Sequence, residues 1–276
     1  MQQPGYGQVW PTVPTIDLVR HPLRRRSLSV AAVERLTPHM IRITFSGADL
    51  ADFASPSPDD HIKIFLPGAD GQEVRRDYTP RHYNPANATL VLDFVDHQAG
   101  PAAAWARAAR VGDRLEVGGP KGSRLITGDV AHWLLVGDET ALPAIGRRVE
   151  SLPAGVSVTT VVAVPGVEDE QVLVTPAQHE AHWVHRPMEL ADQAQAIVAA
   201  LGQVAIPVGT FVWVGAEARV ARAVRDYLQD VRCVPAGWIR AAGYWSMGQA
   251  DAAVRDVEDV QVPKRPEPLV RPPVTG

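Results

Sequence analysis

Hydrophobic and polar residues alternate in short runs along the first half of this chain. The runs cover residues 27–33, 40–45, 61–66, 89–95 and 113–117, and a sixth, more highly charged run covers residues 76–81. Alternation with a period of two is typical of β-strands with one buried face. Six such strands, separated by turn residues, predict a six-stranded antiparallel barrel.

A helix is predicted inside the barrel segment. Pro101 precedes an alanine-rich run at residues 102–110, and proline is favoured at the first position of a helix. A helix N-terminus has unpaired N–H groups and a partial positive charge, which together suit a phosphate. A helix that merely caps one end of the barrel is an equally simple interpretation.

The pattern changes after a glycine- and proline-rich cluster at residues 118–123. Continuous apolar runs at residues 132–136, 156–164 and 210–214 alternate with helical patterns that extend to residue 152 and cover residues 192–201 and 216–229. This alternation predicts a doubly wound parallel sheet, buried on both faces. Its ligand is expected at the carboxyl ends of the strands, near residues 137–140 and 215–217.

Together these patterns predict a two-domain β plus α/β protein. We expect a flexible lead at residues 1–20, a barrel domain at 21–127, an α/β domain at 128–261 and a proline-rich tail at 262–276. The tail has five prolines in fifteen residues.

Charge and cysteine content limit the possible functions. The formal net charge of −4 favours neither nucleic acid nor an anionic membrane as a partner. No apolar run approaches the roughly 20 residues of a membrane helix, and residues 1–14 lack the apolar segment of a signal peptide. Cys233 is the only cysteine, which fits a reducing compartment, so we expect a cytoplasmic protein. Without C-x-x-C or H-E-x-x-H motifs, no metal site is expected. The sequence does not indicate the oligomeric state, and we expect a monomer.

Residues 76–81, Arg-Asp-Tyr-Thr-Pro-Arg, combine groups that suit one kind of ligand. Guanidinium groups match phosphate oxygens, a tyrosine ring stacks on a planar group, and a threonine hydroxyl can donate one hydrogen bond. We therefore interpret the motif as a flavin clamp. The alternative is a charged strand edge with one half-buried tyrosine.

Four motifs carry a resemblance to a known family. They are residues 76–81, residues 93–97 with Gly100-Pro101-Ala102 and Trp105, residues 137–144 (Gly-Asp-Glu-Thr-Ala-Leu-Pro-Ala), and Gly243-Tyr244-Trp245 with Gly248. In this order they resemble the siderophore-interacting proteins, FAD-containing ferric-siderophore reductases of the ferredoxin-reductase-like superfamily. The third motif is the most specific. The resemblance implies an FAD-binding barrel followed by an NAD(P)-binding α/β domain.

The resemblance also implies roles for particular residues. Tyr78 and Thr79 would lie at the redox-active ring and act in catalysis. FAD and the nicotinamide cofactor would be held by these two and by Arg76, Asp77, Arg81, Asp93, His97, Gly100, Pro101, Ala102, Asp138, Glu139, Thr140, Ala141 and Trp245. Asp138 and Glu139 could equally serve as a helix N-cap with favourable charge.

An anionic ferric siderophore would be held by basic side chains, with Lys63, Lys121 and Arg240 as candidates and Arg124 as a further one. The chain departs from many relatives after Trp245, where Ser246-Met247 replaces a basic residue.

The implied activity is hydride transfer from NADH or NADPH to FAD, then single-electron reduction of chelated Fe(III) to release Fe(II). NADH is favoured because Glu168, Asp169 and Glu170 follow the second strand of the α/β domain, where a 2′-phosphate needs a cation. Arg219 or Arg222 could still supply one. Two alternatives remain: a flavin reductase for another electron acceptor, and a non-catalytic siderophore-binding protein.

Overall fold

The computed structural model describes residues 9–68, 71–97 and 100–249. The predicted proline-rich tail at residues 262–276 lies outside these ranges, as do the first eight residues of the predicted lead. Within the described residues no helix is long and apolar enough to cross a bilayer.

A curled antiparallel sheet forms the first half of the molecule. Its order is β5-β4-β8-β2-β3-β7-β6, where the strands are β2 (Arg25–Thr37), β3 (Met40–Ser46), β4 (Ile62–Pro67), β5 (Glu73–Tyr78), β6 (Pro80–Asn84), β7 (Thr89–Val95) and β8 (Arg114–Gly118). The antiparallel sheet is confirmed, but it has seven strands and not the predicted six. The count was wrong because residues 76–81 span two strands and not one.

The two edges of this sheet meet at Thr79. Strands β5 and β6 lie at opposite edges, yet only Thr79 separates them in the chain. The sheet must therefore curl until its edges come together at this residue. Its inner face is filled by buried aliphatic and aromatic side chains such as Ile43, Phe45, Leu92 and Phe94.

A small second sheet joins the start of the described chain to the border between the two halves. Strand β1 (Thr15–Arg20) pairs antiparallel with β9 (Gly122–Thr127). The expectation of a flexible lead was therefore wrong for residues 15–20. The pairing partner lies about a hundred residues away in the chain, so a local pattern cannot reveal it.

The second half is a parallel sheet with helices. The strands β10 (His132–Asp138), β11 (Ser157–Val164), β12 (Gln178–His185), β13 (Thr210–Glu217) and β14 (Ile239–Trp245) lie in the order β12-β11-β10-β13-β14. The described α-helices of the molecule are α1 (Pro101–Ala108), α2 (Leu142–Ser151), α3 (Gln195–Leu201) and α4 (Ala218–Asp226). The doubly wound parallel sheet is confirmed. Strands β12 and β14 were not predicted; both lie at the edges of the sheet, and β12 is rich in polar residues.

The strand order reverses beside β10, which lies between β11 and β13. Gly137 on β10 is opposite Gly215 on β13. A Cβ atom on Gly137 would lie 2.7 Å from the Gly215 carbonyl oxygen and 2.8 Å from the Cβ of Ala141. Glycine is thus required here by the close approach of two strands and the following turn. This switch point is where a doubly wound sheet binds its ligand.

Candidate functional site

The tyrosine of the predicted clamp lies on the inner face of the barrel sheet. Tyr78 is opposite Ile62, and its ring centroid lies 4.5 Å from that of Phe94. Burial raises the pKa of the Tyr78 phenol, so it stays neutral at physiological pH. Arg76 shares this face, because alternate residues of a strand point the same way. Arg76 donates to the Arg75 carbonyl at 2.7 Å.

Asp77 points to the opposite face of the sheet. Its carboxylate binds the Lys63 ammonium at 2.8 Å, and about half of the Lys63 side chain is exposed. The two residues are directly opposite in the register of β4 and β5. Asp77 therefore does not lie beside Tyr78, and its side chain holds Lys63 and not a group on the inner face.

Arg81 and Asp93 also lie away from the inner face. Arg81 Nη1 and Nη2 contact the two carboxylate oxygens of Glu150 on α2 at 2.8 and 2.5 Å. Asp93 alternates with the inward-facing Leu92 and Phe94, and it accepts two hydrogen bonds from Arg42 at 2.7 and 2.8 Å. Both side chains therefore bind other side chains of the protein, and their positions do not support the cofactor-binding roles expected for them.

His97 lies beside the start of α1. Gly100 has φ +110°, which favours glycine, and a Cβ there would lie 3.1 Å from His97 Cε1. Pro101 opens the helix, and Ala102 is buried in its first turn. Burial and then Arg107 lower the pKa of His97. His97 is therefore neutral at pH 7 and can offer one N–H donor but no positive charge.

Asp138 organises the turn that follows β10. Its buried carboxylate accepts hydrogen bonds from the Thr140 N–H at 2.9 Å and hydroxyl at 2.5 Å, and from the Glu217 N–H at 2.8 Å. The Trp245 indole N–H donates a fourth at 3.0 Å. Ala141 closes the same turn through a bond from its N–H to the Asp138 carbonyl at 3.0 Å. Asp138 thus joins the carboxyl ends of β10, β13 and β14.

Glu139 points in the other direction, toward β12. It accepts a hydrogen bond from Arg186 Nη2 at 2.9 Å, and both side chains are almost fully buried. Burial and the neighbouring Asp138 raise the pKa of Glu139 to about 7, against the opposing effect of Arg186. Sequence reasoning missed Arg186, because it directly follows a strand that was not predicted.

Arg240 lies inside the interface between the two halves. Its side chain is 11% exposed and contacts the Asp59 carboxylate at 2.9 Å. Asp59 also accepts from the Ser57 hydroxyl at 2.6 Å and from the Trp213 indole at 3.4 Å. Burial acts to raise the pKa of Asp59, yet Arg240 and Ser57 hold it below the usual value. The structure therefore does not support Arg240 as a basic side chain open to an anionic substrate.

Tyr244 of the fourth motif lies at the interface between the two halves. Its ring packs edge-on against Trp213 at a centroid distance of 5.9 Å, and the Trp213 indole donates to Asp59 of the barrel half. Burial and then Asp59 raise the pKa of Tyr244. Sequence reasoning did not predict this contact between the end of the parallel sheet and the barrel half.

Two family models match this chain. The model described as "Siderophore-interacting FAD-binding domain" matches residues 29–75 and 68–124, and the model described as "Siderophore-interacting protein" matches residues 130–248. Together they cover most of the described chain. The protein belongs to the siderophore-interacting protein family.

Individual relatives agree with this assignment. The chain is 34% identical over 247 residues to the NADPH-dependent ferric-chelate reductase of Escherichia coli, covering 82% of this chain and 95% of the relative. It is 28% identical to the ferric vibriobactin reductase of Vibrio cholerae, covering 85% and 94%.

Solved structures agree as well. A siderophore utilization protein from T. fusca superposes with a TM-score of 0.79 at 34% identity, covering 85% of this chain and 97% of that one. The ferredoxin reductase of carbazole 1,9a-dioxygenase has a TM-score of 0.61 at 17% identity, covering 79% of this chain and 69% of that one, which shows that the two proteins share a fold.

The residues present fit the FAD that this family's barrel domain binds. Tyr78 is only partly buried as a residue and lies on the inner face, where its ring can meet a planar group. The N-terminus of α1, with the glycine at residue 100 and the neutral His97 beside it, suits a diphosphate. No group of three or more His, Cys, Asp or Glu side chains within residues 9–68, 71–97 and 100–249 is arranged to hold a metal ion.

Two of the predicted basic residues lie at one end of the barrel. Lys63 is opposite Gly118 at the end of β8, and Lys121 is exposed in the turn between β8 and β9. Arg124 belongs to β9, where its backbone carbonyl accepts from Ser57 at 2.8 Å. The structure thus separates Lys63 and Lys121 from the buried Arg240.

Proposed function

We propose that this protein is a flavin-dependent ferric-siderophore reductase that uses NAD(P)H. The observation that supports it best is the pair of hydrogen bonds from Arg81 of the clamp motif to Glu150 on α2, at 2.8 and 2.5 Å. Helix α2 begins just after the carboxyl end of β10, the edge at which such sheets bind nucleotides.

FAD, when bound, supplies the chemistry of accepting a hydride from NAD(P)H and passing single electrons to chelated Fe(III). The protein's own residues bind and orient the two cofactors. Tyr78 would hold the flavin ring by stacking, and Thr79 would donate a hydrogen bond to it. Arg76 and the N-terminus of α1 would balance the phosphate charge. The Asp138 turn fixes the carboxyl ends of β10, β13 and β14, where the nicotinamide would bind.

We infer that NADH is preferred to NADPH. The loop after β11 carries three acidic residues at positions 168–170 and no lysine or arginine. Asp169 is fixed by His39 through two contacts of 2.8 and 2.9 Å, and Glu170 pairs with His185 at 2.8 Å. A negatively charged loop at this position accepts a ribose hydroxyl and repels a 2′-phosphate. The Escherichia coli relative is named NADPH-dependent. Parallel titrations of the flavin with NADH and NADPH therefore test which nucleotide this protein prefers.

Lys63 and Lys121 are the residues that we expect to attract an anionic ferric siderophore. Both are exposed, and both lie near the end of β8. Replacing either with alanine should raise the KM for an anionic ferric chelate and leave the rate of flavin reduction by the nicotinamide unchanged.

The decisive experiment follows the flavin absorbance of the purified protein under anaerobic conditions. NADH or NADPH should bleach it, and a ferric siderophore should then restore it while a chromogenic chelator traps Fe(II). Failure of the iron complex to restore the absorbance, with recovery on adding a quinone or ferredoxin, would identify a reductase for another acceptor. Absence of bleaching by either nucleotide would contradict the proposal altogether.

A further inference from the structure

We propose that Glu150 on α2 is a positioning residue for hydride transfer. It holds Arg81, the last residue of the clamp motif, and thereby sets the distance between Thr79 and the carboxyl edge of the parallel sheet. The inference rests on the proposed function, because it concerns the transfer between the two cofactors.

Arg81 binds closely to the side and backbone of α2. Its two terminal nitrogens contact the two oxygens of Glu150 at 2.8 and 2.5 Å, which is the planar, two-bond geometry of a strong arginine–carboxylate pair. Gly146 lies one turn earlier on the same helical face. A Cβ atom at Gly146 would be only 3.2 Å from Arg81 Nη2, so the guanidinium lies directly on the helix backbone.

Asp93 holds the other side of Arg81. The Asp93 carboxylate is 3.9 Å from Arg81 Nε, and its side chain is 1% exposed. Arg42 binds the same carboxylate at 2.7 and 2.8 Å. A line of alternating charges therefore runs from the barrel sheet to α2. It consists of Arg42, Asp93, Arg81 and Glu150, and is called here the interdomain strut.

The backbone at Arg81 is shaped for this contact. Pro80 pairs with Leu92, but the next pair is His82 with Val91, so Arg81 is an extra residue in β6. Such a β-bulge redirects a side chain. Here it directs Arg81 toward Asp93 and α2, away from the inner face that carries Tyr78.

The strut joins the two ends of the site through helix α2. Thr79 is two residues before Arg81, and α2 begins two residues after Thr140 in the Asp138 turn, with Glu150 as its ninth residue. The helix transmits the position of Arg81 to the turn as a rigid element. Hydride transfer needs reacting atoms about 3–3.5 Å apart, and a displacement of about 1 Å can cost about 100-fold in rate. Loosening the strut should therefore slow the transfer more than it weakens the binding of either cofactor.

Replacing Glu150 tests this role in the full-length protein carrying FAD. In Glu150→Gln we expect unchanged FAD content and a limiting rate of flavin reduction at saturating nicotinamide that falls tenfold or more. The apparent Kd for the nicotinamide and the rate of flavin reoxidation by a ferric chelate should stay within about twofold. Glu150→Asp, which keeps the charge, should recover part of the rate. Glu116→Gln is the matched control, since Glu116 pairs with Arg25 at the surface, away from α2.

A second measurement does not depend on turnover. Hydrogen exchange of residues 76–84 and 142–151 in the FAD-free protein should accelerate in both segments together in Glu150→Gln, and in neither for Glu116→Gln. An unchanged reduction rate, a loss of FAD parallel to the loss of rate, or unchanged exchange overturns the inference. If wild-type flavin is not reduced by NADH or NADPH, the proposed function fails, while the exchange data still decide whether the strut links the two segments.

Discussion

Neighbouring side chains of the clamp motif point to opposite faces of the sheet, so only alternate residues can contact one ligand. Arg76 and Tyr78 lie on the inner face, while Asp77 holds Lys63 outside. The residue types of the motif are visible in the sequence, but which of them share a face of the sheet could not be predicted from it. That placement depends on which strand lies opposite, and this is a tertiary property.

Removal of the Thr79 hydroxyl should affect reactivity more than cofactor retention. We expect Thr79→Ala to keep its FAD and to lose about tenfold in the rate of flavin reduction, because a hydrogen bond contributes roughly 1–1.5 kcal/mol. Stopped-flow absorbance and the flavin-to-protein ratio measure the two effects. Thr79→Ser keeps a hydroxyl and should behave like wild type; a serine variant as slow as alanine would contradict the assigned role.

Because of Glu139, the free energy of unfolding should decrease as the pH rises from about 4.5 to about 7. Its pKa is 4.5 as a free side chain and about 7 in the folded protein, so the folded state binds the proton more tightly. The free energy of unfolding therefore decreases between these pH values, by at most about 3 kcal/mol.

Urea unfolding of wild type and Glu139→Gln between pH 4.5 and 8 measures this difference. The exposed Glu168→Gln is the control. If the wild type and Glu139→Gln curves run parallel over this range, the proton is not held by Glu139.

The parallel sheet depends on one close contact between two strands. Gly137→Ala should destabilise the protein by about 1–3 kcal/mol, because the new Cβ would lie 2.7 Å from a backbone oxygen and 2.9 Å from Ile145. Gly166→Ala is the control, since its Cβ would meet only the end of the flexible Glu168 side chain at 3.0 Å. Chemical denaturation compares the two, and equal losses would show that the crowding at Gly137 is easily relieved.

Elements with a strong internal pattern were predictable, and elements defined by a distant partner were not. The apolar strands β10, β11 and β13 lie near the predicted positions, since a strand buried on both faces is a continuous apolar run. Strands β1, β12 and β14 lie at sheet edges or pair across long separations. The buried partners Arg186 and Asp59 were missed for the same reason.

The two halves of the molecule are held together by a buried charge pair. Asp59→Ala would leave Arg240 without its counter-ion in a desolvated interface, so we expect a loss of about 3–5 kcal/mol in the free energy of unfolding. Glu116→Ala is the matched control, because Glu116 and its partner Arg25 are both about half exposed, and it should cost little. Denaturant titration followed by tryptophan fluorescence measures both losses. Similar losses in the free energy of unfolding would mean that the buried Asp59–Arg240 pair stabilises the protein no more than an exposed pair does.

The meeting of the two sheet edges at Thr79 also constrains the order in which the chain folds. Strands β5 and β6 are joined by one residue, but the sheet that runs between them is complete only when β2 has paired with β8, whose partners Ser27 and Glu116 are far apart in the chain. Slow, long-range pairing must therefore precede closure of the clamp. If FAD binds only the closed sheet, as the proposed function requires, it stabilises the native state by mass action. Added FAD during synthesis should then raise the yield of folded protein as well as its activity.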